Sequence, residues 1–65
     1  MKSWVVATIS FHENNLNLNI VSNKDTWFEA LTEVVGYPLY LDSSDLDKSK
    51  SMAFDQDWLF DVKEI

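Results

Sequence analysis

The chain has 65 residues, with eleven Asp or Glu against five Lys, so its formal net charge at pH 7 is -6. Binding to nucleic-acid phosphates requires clustered cations, so this balance argues against direct nucleic-acid binding and disfavours anionic membrane surfaces. The absence of Cys removes disulfides and thiolate zinc sites as sources of stability. At this length we expect one small domain, residues 1–65, stabilised by an aromatic core or by self-association.

The N-terminal segment does not predict membrane insertion or export. The apolar run that starts at Trp4 is short and is interrupted by Thr8 and Ser10, which is atypical of a secretory signal. No stretch approaches the roughly 18 consecutive apolar residues that a spanning helix needs. Together with the absence of Cys, this pattern predicts a cytoplasmic protein.

The first 22 residues predict a β-hairpin. Asn14 and Asn15 tolerate positive φ and predict a two-residue turn, which would pair Phe11 with Leu18 and Ile9 with Ile20. The face expected to enter the core carries Val5, Ala7, Ile9, Phe11, Leu16, Leu18 and Ile20. The outer face would then carry Trp4, Val6, Thr8, Ser10 and His12.

Residues 24–35 predict an amphipathic helix. Its apolar stripe consists of Trp27, Phe28, Leu31, Val34 and Val35. Ser22 or Asn23 is the expected N-cap, and Gly36 stands where a left-handed C-cap residue is favoured. Pro38 prevents continuation of the helix.

The remainder predicts two further strands around a polar segment. Residues 37–41 are typical of a short strand, in which Pro38 is tolerated at an edge or among the first residues. Residues 42–51 are typical of a solvated loop with at most one helical turn. After a turn at residues 55–57, residues 58–65 predict a closing strand. The expected fold is α+β, an antiparallel sheet of three to four strands with one amphipathic helix packed on one face, in the order β-β-α-β-β.

The sequence offers little support for catalysis or metal binding. His12 is the only His, and no nucleophile or second base accompanies it in a recognisable motif. The segment from Asp45 superficially matches a calcium loop, but Lys50 stands where Gly is required and Gln56 where Glu is required. We therefore predict a protein that is not an enzyme, with no cofactor and no metal site.

Seven of the eleven carboxylates lie after Leu41, and this uneven distribution predicts a partner-binding segment. Carboxylates at positions i and i+2 of a strand lie about 6.6 Å apart on one face and can imitate successive phosphates. Such mimicry would suit a basic, nucleic-acid-binding partner. The predicted acidic contacts are Asp42, Asp45, Asp47, Asp55, Asp57 and Asp61. Plain solubility charge is the alternative, and the residues alone favour it.

Two aromatic residues are predicted to anchor that partner. Trp4 falls on the expected outer face of the hairpin, where it could form an apolar patch with Val21, and Tyr40 lies in the predicted edge strand. The alternative for Trp4 is that the C-terminal strand covers it. The pattern alone leaves these two possibilities open.

The chain resembles a class of proteins in its pattern. A small, acidic, Cys-free domain with a hairpin, one helix and a following strand is similar to phage-encoded host-takeover inhibitors. The helix in this pattern begins with the sequence Asn23-Lys24-Asp25-Thr26-Trp27-Phe28-Glu29-Ala30-Leu31. These include inhibitors of host RNA polymerase and anti-CRISPR proteins with a ββα core. The resemblance covers residues 3–41 and implies an inhibitor that blocks a larger bacterial machine. It carries over no functional residue.

Two functional hypotheses follow. The first is a non-enzymatic inhibitor that docks on a basic surface of a nucleic-acid-processing complex, such as a bacterial defence effector or RNA polymerase, by mimicry of nucleic acid. The second is a structural or self-association module that forms a homodimer through an edge strand or the Trp4 face. A small hydrolase, resting on His12 and the carboxylates alone, is abandoned.

Overall fold

The structure is a computed structural model that describes residues 2–37 and 39–65. Over these residues the fold is α+β, with a three-stranded antiparallel sheet and two helices. The elements in chain order are β1 (Lys2–Ser10), β2 (Asn15–Lys24), α1 (Trp27–Val35), α2 (Leu46–Asp55) and β3 (Trp58–Glu64).

The strand order in the sheet is β2-β1-β3, so β1 is central and both of its neighbours are edge strands. Both pairings are antiparallel. Ala7 lies opposite Leu18 of β2 and Asp61 of β3, whereas Val6 lies opposite Asn19 and Val62. Because successive side chains alternate between faces, each of these rows of three belongs to one side of the sheet.

The hairpin is confirmed, but its predicted turn and register are wrong. Ser10 pairs with Asn15, so the turn comprises residues 11–14, with Asn14 at a φ of 57°. Ile9 therefore lies opposite Leu16 instead of Ile20. The change in register is an even number of residues, which preserves the division of side chains between the two faces. Phe11 leaves the strand and packs edge-on against Phe54, with ring centroids 5.6 Å apart.

The prediction of which hairpin face enters the core is also wrong. Trp4, Val6, Thr8 and Ser10 are buried, and the first two belong to one cluster with Phe60 and Val62 of β3. The opposite face carries Leu16, Leu18 and Ile20, which are exposed. The physical reason is that β3 brings its own apolar side chains opposite Val6 and Thr8, and α1 packs on that side through Ala30 and Leu31.

The first helix begins later than predicted and ends where expected. Thr26 is its N-cap, and its Oγ1 accepts a hydrogen bond from Glu29 N–H at 3.2 Å, in place of Ser22 or Asn23. Gly36 has a φ of 88°, the left-handed conformation that glycine adopts without a Cβ penalty. Its N–H donates to Thr32 C=O at 2.9 Å and closes the helix.

The second helix corrects the prediction of a solvated loop at residues 42–51. Asp45 is the N-cap of α2, and its Oδ1 accepts a hydrogen bond from Lys48 N–H at 3.0 Å. The buried side of α2 carries Ser49 and Ala53. Because small residues form this buried side, apolar periodicity gave almost no signal for the helix.

The region before α2 is not a strand. Tyr37 and residues 39–41 have no strand pairing, so the predicted β-β-α-β-β order with one helix is replaced by β-β-α-α-β. The predicted position of Pro38, at an edge or among the first residues of that strand, lies outside the described residues. Leu39 is buried in the core, and this segment links the two helices instead of extending the sheet.

The closing strand is confirmed as β3, with Phe60 and Val62 buried and Leu59 and Asp61 exposed.

The two helices cover different parts of the sheet. α1 contacts all three strands, whereas α2 contacts only β3 among them. Within the described residues, the structure contains no helix long and apolar enough to cross a membrane.

Candidate interaction surfaces

The predicted acidic contacts are dispersed over the fold, and several have local structural partners. Asp42 precedes α2 and accepts two hydrogen bonds at Oδ1, from Ser44 N–H at 3.0 Å and from Ser44 Oγ at 2.6 Å. These bonds, with a smaller attraction from Lys48, lower the pKa of the Asp42 carboxyl below its ordinary value of 3.8. Asp42 therefore fixes the conformation of the chain just before α2.

Asp45 and Asp47 lie at the N-terminus of α2. Asp45 caps the helix, and Asp47 places a carboxylate in the first turn, where it complements the positive end of the helix dipole. Both positions have a structural explanation that requires no partner. Asp45 and Asp47 lie close together because both occupy the N-terminus of the same helix, where acidic residues are favoured.

Asp55, Asp57 and Asp61 do not form the predicted phosphate-like array. Asp55 ends α2, Asp57 occupies a turn at a φ of 66°, and only Asp61 lies in β3. Asp57 Oδ2 lies 3.1 Å from His12 Nε2, and Asp61 Oδ1 lies 3.1 Å from Lys50 Nζ. The i and i+2 spacing on a strand, on which the mimicry argument depended, is therefore absent from this group.

Tyr40 and Asp55 are predicted contacts that are distant in the sequence and that the structure brings together. They line one shallow groove of about 310 Å³ with Met52 and Gln56. Gln56 holds the Tyr40 backbone from both sides, because Oε1 accepts from Tyr40 N–H at 2.9 Å and Nε2 donates to Tyr40 C=O at 2.7 Å. The Tyr40 side chain remains 82% exposed above this fixed backbone. An exposed aromatic side chain on a held backbone suits a contact group.

Trp4 is not available as a surface anchor. It is 9% exposed, and its Nε1 donates to Lys24 C=O at 3.0 Å. The indole therefore has a satisfied polar group and a packed ring, the usual condition of a core Trp. Of the two alternatives that the sequence left open for Trp4, the structure shows burial.

The surface that sequence reasoning missed is the sheet face opposite the helices, here called the open face. Leu16, Leu18 and Ile20 of β2 are 70%, 71% and 72% exposed, which is unusual for three large aliphatic side chains in one row. Val5, Ala7 and Ile9 of β1 lie directly beside them and are only half-buried. Leu59 of β3, which is opposite Ile9, extends the apolar row across the sheet.

The open face is bounded by charge on the β3 side only. Asp61 and Lys63 of β3 lie opposite Ala7 and Val5 and line a shallow groove of about 260 Å³ with them. The segment 15–23 of β2 contains no charged residue, in a chain whose net charge is -6. The apolar region is therefore open toward the β2 edge and closed by ionic groups at the β3 edge.

A sequence signal for this surface was present. Both faces of the predicted hairpin carry apolar residues, and a hairpin with two apolar faces has one more face than a single helix layer can cover. The alternation of Asn with Leu and Ile in residues 15–20 also lacks the Lys, Pro or other devices that commonly protect an edge strand. These two features together predict an exposed apolar strand.

In residues 2–37 and 39–65, no three His, Asp or Glu side chains are arranged as a metal site. The open face consists mainly of aliphatic side chains and offers contact area in place of reactive groups. Comparison with protein-family models, with curated proteins and with solved structures finds no match for this chain.

Proposed function

We propose that this protein is a non-enzymatic binding module whose contact surface is the open face with its β2 edge, and whose partner there is a second copy of the chain. The observation that carries this proposal is the exposure of Leu16, Leu18 and Ile20. Large contiguous apolar patches on small proteins mark interaction sites. Self-association is also a recognised source of stability for small domains without disulfides or metals.

The magnitude of the apolar contribution predicts weak, reversible association. Complete burial of a Leu or Ile contributes about 1.5–3 kcal/mol, so covering three that are mostly exposed contributes about 3–6 kcal/mol per chain. Two chains contribute about twice this amount, while association costs about 4–15 kcal/mol in lost translational and rotational freedom. Apolar contact alone therefore approximately offsets this cost, and further contacts must decide the affinity.

Charge predicts how salt affects this association. Each chain carries -6, so two copies repel at long range, whereas segment 15–23 itself brings no charge into the contact. Salt screens the repulsion and leaves the apolar contact intact. The self-association constant should accordingly rise with salt, the opposite of the response expected for an ionic complex with a basic partner.

Sedimentation equilibrium over a range of protein concentrations tests the proposal directly. The wild-type chain should show a concentration-dependent dimer that strengthens with salt, and Leu18→Lys should abolish it by placing a charge in the apolar row. Tyr40→Lys is the matched control, because it adds the same charge to an exposed residue outside the open face. A monomer at about millimolar concentration, corresponding to a binding free energy weaker than about 4 kcal/mol, contradicts the proposal.

The groove lined by Tyr40, Met52, Asp55 and Gln56 supports a second candidate function. This function is that of an inhibitor that docks on a basic surface of a nucleic-acid-processing complex. Its support is the combination of the exposed Tyr40 ring with Asp55 in one groove. Charge would raise the association rate with a basic partner, while the desolvated aromatic ring would hold it. The dispersed positions of the other carboxylates provide no further support.

A pull-down from bacterial lysate at low and high salt tests this second candidate. Neutralising Asp55, Asp57 and Asp61 to Asn should weaken capture of a basic protein more than changing Glu29 and Glu33 to Gln. Tyr40→Ala should weaken it at both salt concentrations. Equal effects of the two neutralised sets would assign the acidity to solubility, and enrichment of no basic protein would remove this candidate.

A further inference from the structure

The β2 edge carries a row of backbone groups without a strand partner. In the sheet order β2-β1-β3 of the described residues, β2 is bonded to a neighbour on one side only. Among the described residues, the backbone of residues 15–22 makes no hydrogen bond beyond the ladder with β1. Such an edge is a template for the addition of another strand.

The features of β2 that protect an edge strand against further pairing lie at its C-terminal end. The register with β1 shifts between Lys2 and Trp4, which inserts one extra residue into β2 near Asn23, and Asn23 has a φ of 65°. A bulge of this kind twists an edge away from further pairing, and Lys24 adds charge there. At the other end, Asn14 has a φ of 57° and belongs to the turn. The regular, uncharged part of the β2 edge therefore comprises residues 15–22.

We infer that two chains pair edge to edge through antiparallel β2 strands, with Leu18 opposite Leu18 of the second copy, forming one continuous six-stranded sheet. This inference rests on the self-association proposed above and specifies its geometry. The symmetry is two-fold, so the same strand supplies both sides of the contact. Edge pairing buries the apolar side chains only where they meet across the new strand pair, so the apolar contribution is smaller than for complete covering of the open face. The backbone hydrogen bonds of the new ladder therefore supply a large part of the interaction.

Centring the pair on Leu18 follows from the limits of the strand. This register places Leu16 opposite Ile20 and Asn17 opposite Asn19, so apolar side chains meet on the open face and amides meet on the other face. A register shifted by one residue on one strand would set Asn against Leu or Ile. Centring on Asn19 instead would place Leu16 opposite Ser22, and pairing beyond it would reach Asn23 at the bulge.

The charge distribution favours a second copy as the occupant of this edge. No Lys, Asp or Glu stands in residues 15–22, so the pairing brings no like charges into cross-strand contact despite the net charge of -6. A basic or acidic partner strand would find no complementary charge along this segment. The alternating Asn and aliphatic pattern is instead complementary to itself in the antiparallel direction.

Single-cysteine variants test the register, because the chain contains no Cys of its own. Opposite residues of an antiparallel pair lie about 4.5–5.5 Å apart, within the range that a disulfide spans, so Leu18→Cys should form a covalent dimer in a glutathione redox buffer. Leu16→Cys is the matched control, since its two copies would be about 13 Å apart along the strands. Leu16 and Leu18 are nearly equally exposed, so random collision affects both variants alike.

A second variant separates edge pairing from stacking of two open faces. Asn17→Lys combined with Asn19→Lys places Lys opposite Lys on the side away from the open face. Edge pairing predicts that the dimerisation constant falls by about tenfold, because like charges directly opposite are unfavourable. Stacking of open faces predicts no loss. Circular dichroism of each variant verifies the monomer fold.

The outcomes separate this inference from the proposed function. A covalent dimer of the Leu18→Cys variant but not of the Leu16→Cys variant, together with weakened association of the double Lys variant, supports the edge-paired dimer. A wild-type dimer whose two single-cysteine variants cross-link equally or not at all, or that tolerates both Lys residues, overturns the edge geometry and leaves self-association standing. A wild-type monomer at about millimolar concentration overturns both.

Discussion

The two edge strands of the sheet, β2 and β3, flank the same central strand but differ in how they are covered. β3 buries Phe60 and Val62, contacts both helices, and carries Asp61, Lys63 and Glu64. Residues 15–20 of β2 are exposed on both faces and carry no charge. The comparison shows that β3 belongs to the core of the monomer, whereas most of β2 lies outside it.

This difference has a physical origin in the lengths and positions of the helices. α1 has nine residues, about 13.5 Å at 1.5 Å per residue. The β2 residues that are not exposed, Val21 and Lys24, lie at the end of the strand next to α1, and Lys24 Nζ is 3.1 Å from Glu33 of that helix. α2 contacts β3 alone among the strands. Within residues 2–37 and 39–65, no helix covers the far part of β2, so its apolar residues need another partner to leave water.

The largest expected contrast comes from truncating one apolar side chain in each edge strand. Phe60→Ala should reduce the free energy of unfolding by about 3–5 kcal/mol, because Phe60 is buried and stacks with Trp27. Leu18→Ala should change it by no more than about 0.5 kcal/mol in the monomer. Urea unfolding at low protein concentration measures both.

Because a small domain has limited stability, Phe60→Ala could be unfolded in water. Phe60→Leu then supplies a measurable, smaller loss at the same position. Similar losses in the free energy of unfolding at Phe60 and Leu18 would contradict the conclusion that β3 belongs to the core and that most of β2 lies outside it.

The next effect concerns the attachment of α2, which covers β3. Ser49 is fully buried, and its Oγ donates to Asp42 C=O at 2.6 Å and accepts from Asp42 N–H at 3.0 Å. Ser49→Ala removes both bonds and should cost about 1–3 kcal/mol in the free energy of unfolding. Ser51→Ala, at an exposed position of the same helix, should cost nothing measurable. If chemical denaturation shows equal losses of stability for Ser49→Ala and Ser51→Ala, the hydrogen bonds of Ser49 do not attach α2 to the segment that precedes it.

A smaller effect is expected from the helix cap. Asp45→Ala removes the acceptor for Lys48 N–H and should cost about 1 kcal/mol. Amide hydrogen exchange should then increase in the first turn of α2 and leave that of β2 unchanged. Asp55→Asn, at the other end of α2, is the control and should be neutral or slightly stabilising, because a carboxylate is unfavourable near a helix C-terminus.

The smallest expected effect is a pH dependence at Asp42. Its folded-state pKa is lowered by the hydrogen bonds from Ser44, so the ionised form stabilises the fold. This contribution is fully present above the ordinary value of 3.8 and is lost as the pH falls through the lower folded-state pKa. Ser44→Ala should therefore be less stable than the wild type at neutral pH and approach it at low pH. Ser43→Ala is the matched control, and a constant difference in thermal unfolding at all pH values would contradict this assignment.

Local chemistry predicted several elements correctly. Gly36 ended α1 because a left-handed residue is needed there, and the alternation of Phe60 and Val62 with charged residues predicted β3. The helix α2 was missed because its buried side consists of Ser49 and Ala53, whose small side chains carry little apolar signal. Its cap, Asp45, was present in the sequence but was interpreted as a loop residue.

The interaction surfaces were less predictable than the elements. Tyr40 was predicted to be an aromatic anchor in an edge strand; its side chain is exposed, but residues 39–41 form no strand, and its role as an anchor stays a prediction. Trp4 was placed on the wrong side, and the carboxylates expected to form an array are separated by a helix end and a turn. These errors share one cause, since each depended on how distant segments pack together.

The sequence by itself determined the α+β class, the hairpin and its two alternating faces, because side-chain period and turn chemistry are local properties. It could not determine which face became the core, because both faces carry apolar residues. That choice was made by β3, whose Val62 and Phe60 lie opposite Val6 and Thr8, and by α1, which packs on the same side. Leu16, Leu18 and Ile20 are exposed because, in the part of the chain that the structure describes, the helices cover only one face of the sheet.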